Sequence, residues 1–263
     1  MRFGINLYSL RTLISDEESF LQTAYALAEQ GYDTIQFSGA PYNADVIKKV
    51  SVKSGLPVVL THVPMDRIIN DTEKLMAEHE SFGCRCIGLG SMPREIIGTE
   101  KFRETVELLN RAGAKMAENG FTFCYHHHHY ELYKSGGETA LDYMIKNAPD
   151  IHFTADTYWL QYGGADVLKT IEKLKGRVDC LHLKDYRINR KTDEAGRASF
   201  EPGFAPVGDG VIDFAAVIAA AEKSGTKHFL VEQDDAVNYP DPLGQAGRSI
   251  KYLKDIISPR VGE

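Results

Sequence analysis

At 263 residues the chain is long for an ordinary single domain and suits one α/β barrel of about 250 residues. Hydrophobic residues at 43% and charged residues at 25% give the balance of a soluble globular chain, neither disordered nor membrane-embedded, and no apolar run approaches the ~20 residues of a membrane span. Asp and Glu total 37 against 30 Lys and Arg, a formal charge of −7, which repels a nucleic-acid duplex or an anionic membrane surface.

In chain order, Phe3–Tyr8 has the composition of a strand, and 16–30 carries apolar residues at helical spacing (Phe20, Leu21, Ala24, Leu27, Ala28) closed by Gly31. The unit then repeats. Strand 33–37 leads to helix 44–54 and Gly55, strand 57–62 to helix 71–82 and Gly83, and strand 85–89 to helix 100–119 and Gly120. Next comes the apolar run Phe121–Tyr125 with four consecutive histidines, His126 to His129, then helix 138–147, strand 151–156, helix 166–175 and strand 178–183. Helix 213–224, strand 228–232 and helix 244–257 complete eight strand-helix units. Strict alternation implies a parallel sheet with right-handed crossovers, and eight repeats over this length imply a closed (β/α)8 TIM barrel, residues 1–263 forming one domain. An open doubly wound sheet that binds a dinucleotide would want a glycine fingerprint after the first strand, where Asn6-Leu7-Tyr8-Ser9-Leu10-Arg11 has none. The one irregular stretch is the long loop 186–209 after the seventh strand, with the proportions of a lid or binding element.

The amino terminus enters a strand without a signal-peptide pattern, so a cytoplasmic location is expected. Cys84, Cys86, Cys124 and Cys180 fit no zinc-ribbon spacing and lie in apolar runs, the pattern of buried reduced thiols.

Barrel enzymes carry their chemistry at the carboxyl ends of the strands. Here those ends are polar: Gln36, His62, His126 with His128, Asp156, His182 followed by Lys184 and Asp185, and Glu232-Gln233-Asp234. If the fifth strand runs on through the histidines, His126 and His128 share one face, while His127 and His129 share the other and serve as loop caps or as ligands. His126, Asp156, His182 and Glu232, from four consecutive strands, are the ligand types of a borderline divalent cation, Mn²⁺ foremost, with Zn²⁺, Co²⁺ or Mg²⁺ as alternatives. Lys184 and Asp185 make a surface ion pair or else orient His182 and meet substrate. Trp159 stacks on a sugar face or packs its loop. Arg187, with Arg190, Lys191 and Arg197, supplies charge for a substrate phosphate or forms a solvated lid face; the absence of a phosphate-cradling glycine loop favours a neutral sugar.

These residues carry a resemblance to a family. Ile5-Asn6-Leu7-Tyr8-Ser9-Leu10-Arg11, Gly31 to Gln36, Tyr125 to Glu131, Asp156-Thr157-Tyr158-Trp159, Gly176-Arg177-Val178, His182-Leu183-Lys184-Asp185, Pro206 to Gly210 and Val231-Glu232-Gln233-Asp234 together resemble the xylose isomerase-like barrel superfamily. Within it the match is to the group of sugar phosphate isomerases/epimerases, inosose dehydratases, ketose 3-epimerases and hydroxypyruvate isomerases, with endonuclease IV more distant. The resemblance implies a divalent ion held by Glu, Asp, His and Glu at the ends of strands five to eight. Asp156, His182 and Glu232 match that set. The fifth-strand glutamate is replaced by His126, with Glu131 five residues on as the alternative ligand, which puts the two-glutamate mechanism of the 3-epimerases in doubt.

The implied chemistry is proton abstraction next to a carbonyl of a sugar, inosose or keto-glycoside chelated to the cation. Glu232 or a fifth-strand histidine acts as base, and His128, Lys184, His62 or Glu131 returns or delivers a proton, with His62, Trp159, Asp185 and Arg187 touching substrate. Proton return to the opposite face, return to the neighbouring carbon, or loss of a β-oxygen gives epimerisation, isomerisation or elimination. The expected partner is a small sugar or polyol, without nucleic acid or membrane, and a homo-oligomer stays open. The rivals are a carbohydrate-binding or partner-dependent subunit without catalysis and, on the same barrel, an abasic-site endonuclease, which wants about three zinc ions and a positive face.

Overall fold

The computed structural model describes residues 1–257. Eight parallel strands close on themselves: β1 Phe3–Asn6, β2 Thr34–Phe37, β3 Val58–His62, β4 Cys86–Leu89, β5 Thr122–His126, β6 His152–Asp156, β7 Cys180–Leu183 and β8 His228–Val231. Around the ring each strand pairs with its neighbours in sequence, and β8 pairs with β1. This is the predicted barrel. It forms because each helix buries one stripe on a sheet whose own strands are buried on both faces.

Helix ends follow local chemistry. Asp16 and Ser19 cap the helix Glu17–Gln30 reciprocally, and Gly31 ends it in the left-handed region at φ 91°. Asn43, Thr139, Asp166 and Asp213 cap their helices through the side chain.

Several elements depart from expectation. β1 stops at Asn6, whose side chain accepts the Tyr8 N–H and turns the chain into a 3₁₀ segment, Leu7–Leu13. A short helix, Met65–Asn70, precedes Thr72–Ser81. The helix expected from residue 138 starts at Ala140 after a two-residue ribbon. An additional helix, Thr157–Tyr162, begins at the end of β6 because Asp156 Oδ1 accepts the Trp159 N–H at 2.9 Å. The largest difference lies after β7: most of the expected loop 186–209 is an antiparallel ribbon of Asp185–Thr192 against Ala198–Ala205 in unbroken register. Its charged side chains alternate with Tyr186, Ile188, Phe200 and Phe204, a period-two pattern that the glycines and charges obscured.

Away from the barrel mouth, His79 is fully buried between Thr61, Tyr42 and Leu75. Its Nδ1–H donates to the Leu75 carbonyl at 2.7 Å, and Nε2 accepts from the Thr61 hydroxyl at 2.7 Å. Burial pulls its pKa down to about 4. The folded state therefore binds this proton more weakly than the unfolded chain, and stability present above about pH 6.5 is lost as pH falls toward 4. At one pKa unit per ~1.4 kcal/mol, the loss between pH 7 and 5 is about 2 kcal/mol. Urea midpoints at the two pH values should show it, and His79→Gln should flatten the dependence; an equal slope in that variant would refute the assignment.

Candidate active site

Side chains two residues apart along a strand face the same way, so the last inward positions of the strands form one ring at the carboxyl end of the barrel. Asn6, Gln36, His62, His126, Asp156 and His182 occupy it, and Glu232 follows directly on β8. Asp156 and His182 are register partners across β6 and β7. His126, Asp156, His182 and Glu232 are all buried, and each offers one donor atom within 4.8 Å of the others'.

Hydrogen bonds at the far side of each imidazole determine what this group presents. His126 Nδ1 lies 3.0 Å from the Gly90 carbonyl, to which it donates, so its Nε2 turns toward Asp156 Oδ2 at 3.2 Å. The Gln36 amide donates to His62 Nε2 at 3.0 Å, and its carbonyl oxygen accepts from His182 Nε2 at 2.7 Å. His182 Nδ1 then faces Glu232 Oε2 at 2.7 Å and Asp156 Oδ2 at 3.5 Å. Neither His182 Nδ1 nor Glu232 Oε2 has a partner in hydrogen-bond alignment. In the neutral tautomers these bonds assign, two imidazole lone pairs are aimed at two carboxylates. Such an arrangement is repulsive unless positive charge lies among them, and outer-shell bonds of this kind are how ligating histidines are oriented. A proton is one source of that charge: burial disfavours the imidazolium at His182, yet Glu232 and Asp156 raise its pKa to about 9.

A second source is Lys184. Its side chain is buried, with Nζ 3.3 Å from Asp156 Oδ2, 3.1 Å from Glu232 Oε2 and 2.8 Å from Asp234 Oδ1. Burial works against the ammonium, but the three carboxylates outweigh it and hold the lysine charged. Burial likewise opposes the charged forms of Glu232 and Asp156, and Lys184 with the histidines keeps both ionised. Three carboxylates against one ammonium leave two negative charges when the histidines are neutral, which matches a divalent cation. The donor set of two imidazoles and two carboxylates is one that Mn²⁺, Zn²⁺ or Co²⁺ accepts.

Above this group opens a cavity of about 470 Å³ lined by His62, His126, His128, Trp159, Lys184 and Glu232, with Tyr8, Arg94, Tyr130 and Asp234 among the other walls. That volume takes one small polyol. The His128 ring stacks on Tyr130 at 5.0 Å and lies 5.2 Å from Trp159, and the Tyr130 hydroxyl donates to its Nδ1 at 3.0 Å. Burial, with His126 nearby, holds His128 neutral. Its Nε2–H is therefore the donor left free.

Not every residue singled out from sequence reaches the mouth. Glu131 is buried behind it: one carboxylate oxygen accepts from the Tyr125 hydroxyl, the other from the His128 backbone N–H at 2.8 Å. It thus shapes the turn that aims His128 and stays out of the donor group, where the fifth-strand position is His126. Asp185 faces the other way. Its carboxylate gathers the backbone N–H groups of Tyr186, Gly208, Gly210 and Ile212. A Cβ at Gly210 would meet Asp185 Oδ1 at 2.3 Å, so this turn requires glycine. Arg187 donates to the Tyr239 hydroxyl at 2.6 Å, clipping the ribbon to the segment after β8 outside the cavity wall. Arg190, Lys191 and Arg197 are exposed along the ribbon and absent from the cavity lining. β5 ends at His126, so strand alternation does not govern the next three histidines. His127 accepts the Asp156 N–H through Nε2 at 3.1 Å, a loop-fixing role, and His129 packs between Trp159 and Tyr162.

The sequence reading gave no role to Asn6 or Asp234, although it placed Asp234 at the end of the eighth strand. Asn6 Nδ2 donates to Glu232 Oε1 at 2.8 Å while its oxygen accepts from the Ser38 hydroxyl at 2.6 Å. Drawing β1 two residues too long hid Asn6, which the strand-end rule would otherwise have found.

The comparisons with known proteins agree with the fold. A family model described as xylose isomerase-like TIM barrel matches residues 24–256. The chain belongs to the xylose isomerase-like TIM barrel family. An inosose dehydratase of Clostridium perfringens (strain 13 / Type A) is 26% identical over 278 aligned positions, spanning 92% of this chain and 91% of that protein. Among solved structures, a sugar phosphate isomerase/epimerase from Parabacteroides distasonis ATCC 8503 superposes with a TM-score of 0.77 at 21% identity, covering 96% of this chain and 93% of that one. A xylose isomerase-like TIM barrel protein from Mycobacterium smegmatis in complex with magnesium gives 0.70 at 16% identity, with 98% and 97% covered. The curated relatives matched along most of this chain also include inosose dehydratases of Erwinia tasmaniensis and Histophilus somni, each 28% identical. Among the described residues no helix is long and apolar enough to cross a membrane.

Proposed function

We propose that this enzyme abstracts a proton next to the carbonyl of a small cyclic or open-chain keto-polyol, with a divalent cation held by His126, Asp156, His182 and Glu232. The observation carrying this reading is the pair of imidazoles whose outer nitrogens are committed to Gly90 and Gln36 while the inner ones face carboxylates. Bound there, the ion would polarise the substrate carbonyl as a Lewis acid and make the adjacent C–H acidic.

The protein's own residues supply the rest. Glu232, at the cavity wall, is held by Asn6 through Oε1, and its Oε2, beside His182 and Lys184, would take the proton. Lys184 and His128 both carry N–H donors at the cavity wall, and either delivers a proton to a departing hydroxyl. The hydroxyl on the neighbouring carbon then leaves as water, and the electron pair of the broken C–H bond forms the new C=C bond. Elimination is the preferred outcome because the relatives matched along most of their length are named inosose dehydratases. Trp159 and Tyr130 offer apolar faces to the C–H surface of the ring.

The test uses the purified enzyme with an inosose in D₂O. Deuterium should enter the position next to the carbonyl, or water should be lost, and both should stop after chelation with EDTA and return with Mn²⁺. Turnover indifferent to chelation removes the metal from the mechanism. Sugar binding without exchange or water loss makes the barrel a binding subunit.

A further inference from the structure

Below the ring of donors the barrel holds a second convergence of side chains. Cys124 and Cys180 lie two residues before His126 and His182 on the same strands, so they face inward one layer down, about 7 Å deeper at ~3.3 Å per residue. Cys86, the first residue of β4, joins them, and the three Sγ atoms all lie within 4.8 Å of one another. All three are free and buried. His228, at the start of β8 and partly exposed, is the register partner of Cys180 and so stands beside the thiols on the neighbouring strand.

Three thiols beside an imidazole differ in kind from an apolar plug. Leu60 and Leu230 surround them, and Thr154, the register partner of Cys180 on an inward position of β6, leaves its buried Oγ1 without a hydrogen-bond partner in this layer. Tetrahedral thiolates at ~2.3 Å from zinc stand ~3.8 Å apart, so the sulfurs need to shift by no more than about 1 Å to share an ion. Three thiolates leave one negative charge over a divalent cation. Lys227, bonded to Asp179 at 2.6 Å, places an ammonium on the same floor near Cys86 and Cys124.

We propose that the amino-terminal floor of the barrel is a structural site for a soft divalent ion, zinc in kind, held by Cys86, Cys124 and Cys180 with His228 as fourth ligand. Each thiol releases its proton to solvent on binding, no electron is transferred, and the ion enters from the His228 side. The site is independent of the nitrogen and oxygen donors above, and zinc here would tie β4, β5, β7 and β8 together beneath the cavity.

Cadmium separates the two sites, since only sulfur ligands give the ultraviolet thiolate-to-cadmium charge-transfer band. The intact, reduced, chelator-treated chain titrated with Cd²⁺ should develop that band to an end point of one ion per chain. Cys84→Ala should keep it, because Cys84 lies outside the cluster and donates to the Cys86 carbonyl. The double variant Cys124→Ala/Cys180→Ala should lose it with the barrel's circular dichroism retained, and His228→Ala should weaken binding. If the double variant does not fold, Cys86→Ala at the rim is read in its place. The proposal is overturned if the wild-type chain, with its four thiols titrated as reduced after denaturation, gives no band, if the band survives loss of the cluster cysteines, or if the chain as isolated carries a disulfide within the cluster.

Discussion

Replacing Glu232 with glutamine is expected to lower the rate of proton exchange from an inosose by at least ~10³-fold at saturating Mn²⁺, because one substitution removes both an anionic ligand and the proposed base. Glutamine keeps the size and, through its carbonyl oxygen, the bond from Asn6 Nδ2, and Lys184 keeps Asp156 and Asp234, so the variant should fold, at a lower denaturant midpoint than wild type in chelator because one buried partner of the ammonium is gone. The affinity for Mn²⁺, read by calorimetry, should fall in the same variant. A Glu232→Gln enzyme that exchanges at the wild-type rate would move the base elsewhere in the cavity, and one that binds Mn²⁺ unchanged would take Glu232 out of the ligand set.

The second large effect concerns Lys184. Methionine in its place fills a similar volume but leaves Asp156, Glu232 and Asp234 crowded and buried without their ammonium. Removing one partner of a buried ionic cluster costs about 3–5 kcal/mol, so Lys184→Met in EDTA should unfold at clearly lower urea. Mn²⁺ should restore more of the lost stability than it adds to wild type, because the ion supplies positive charge where the lysine did. Equal stabilisation of both proteins by Mn²⁺ would mean that the ion and the ammonium do not share those carboxylates. Turnover should stay depressed with Mn²⁺ restored if Lys184 also protonates the leaving hydroxyl.

Much of the barrel was legible in the chain because its signals are local. Helices stop at Gly31, Gly55, Gly83, Gly120 and Gly225, each at positive φ where a side chain would be strained, and short apolar strands follow within a few residues. Strand-end reading brought His62, His126, Asp156, His182 and Glu232 to one place, because a parallel barrel makes every carboxyl end part of the same rim. The ribbon after β7 was misread as an irregular loop because its pairing joins residues such as Asp185 and Ala205, and nothing in either segment alone announces the other.

The sequence by itself determined the eightfold repeat, the acidic charge, and the strand-end residues that gather at the mouth, since each depends on spacing along the chain. Only the tertiary structure decided which polar groups look inward and what holds them. Glu131 is turned to Tyr125, Asp185 to the turn at Gly208 and Gly210, Lys184 to three carboxylates, and Cys124 and Cys180 share the strands of His126 and His182 one layer below. The reason is physical: the orientation of a buried polar side chain is set by whichever unpaired donor or acceptor the closed barrel brings within about 3 Å of it, and that neighbour comes from a distant part of the sequence.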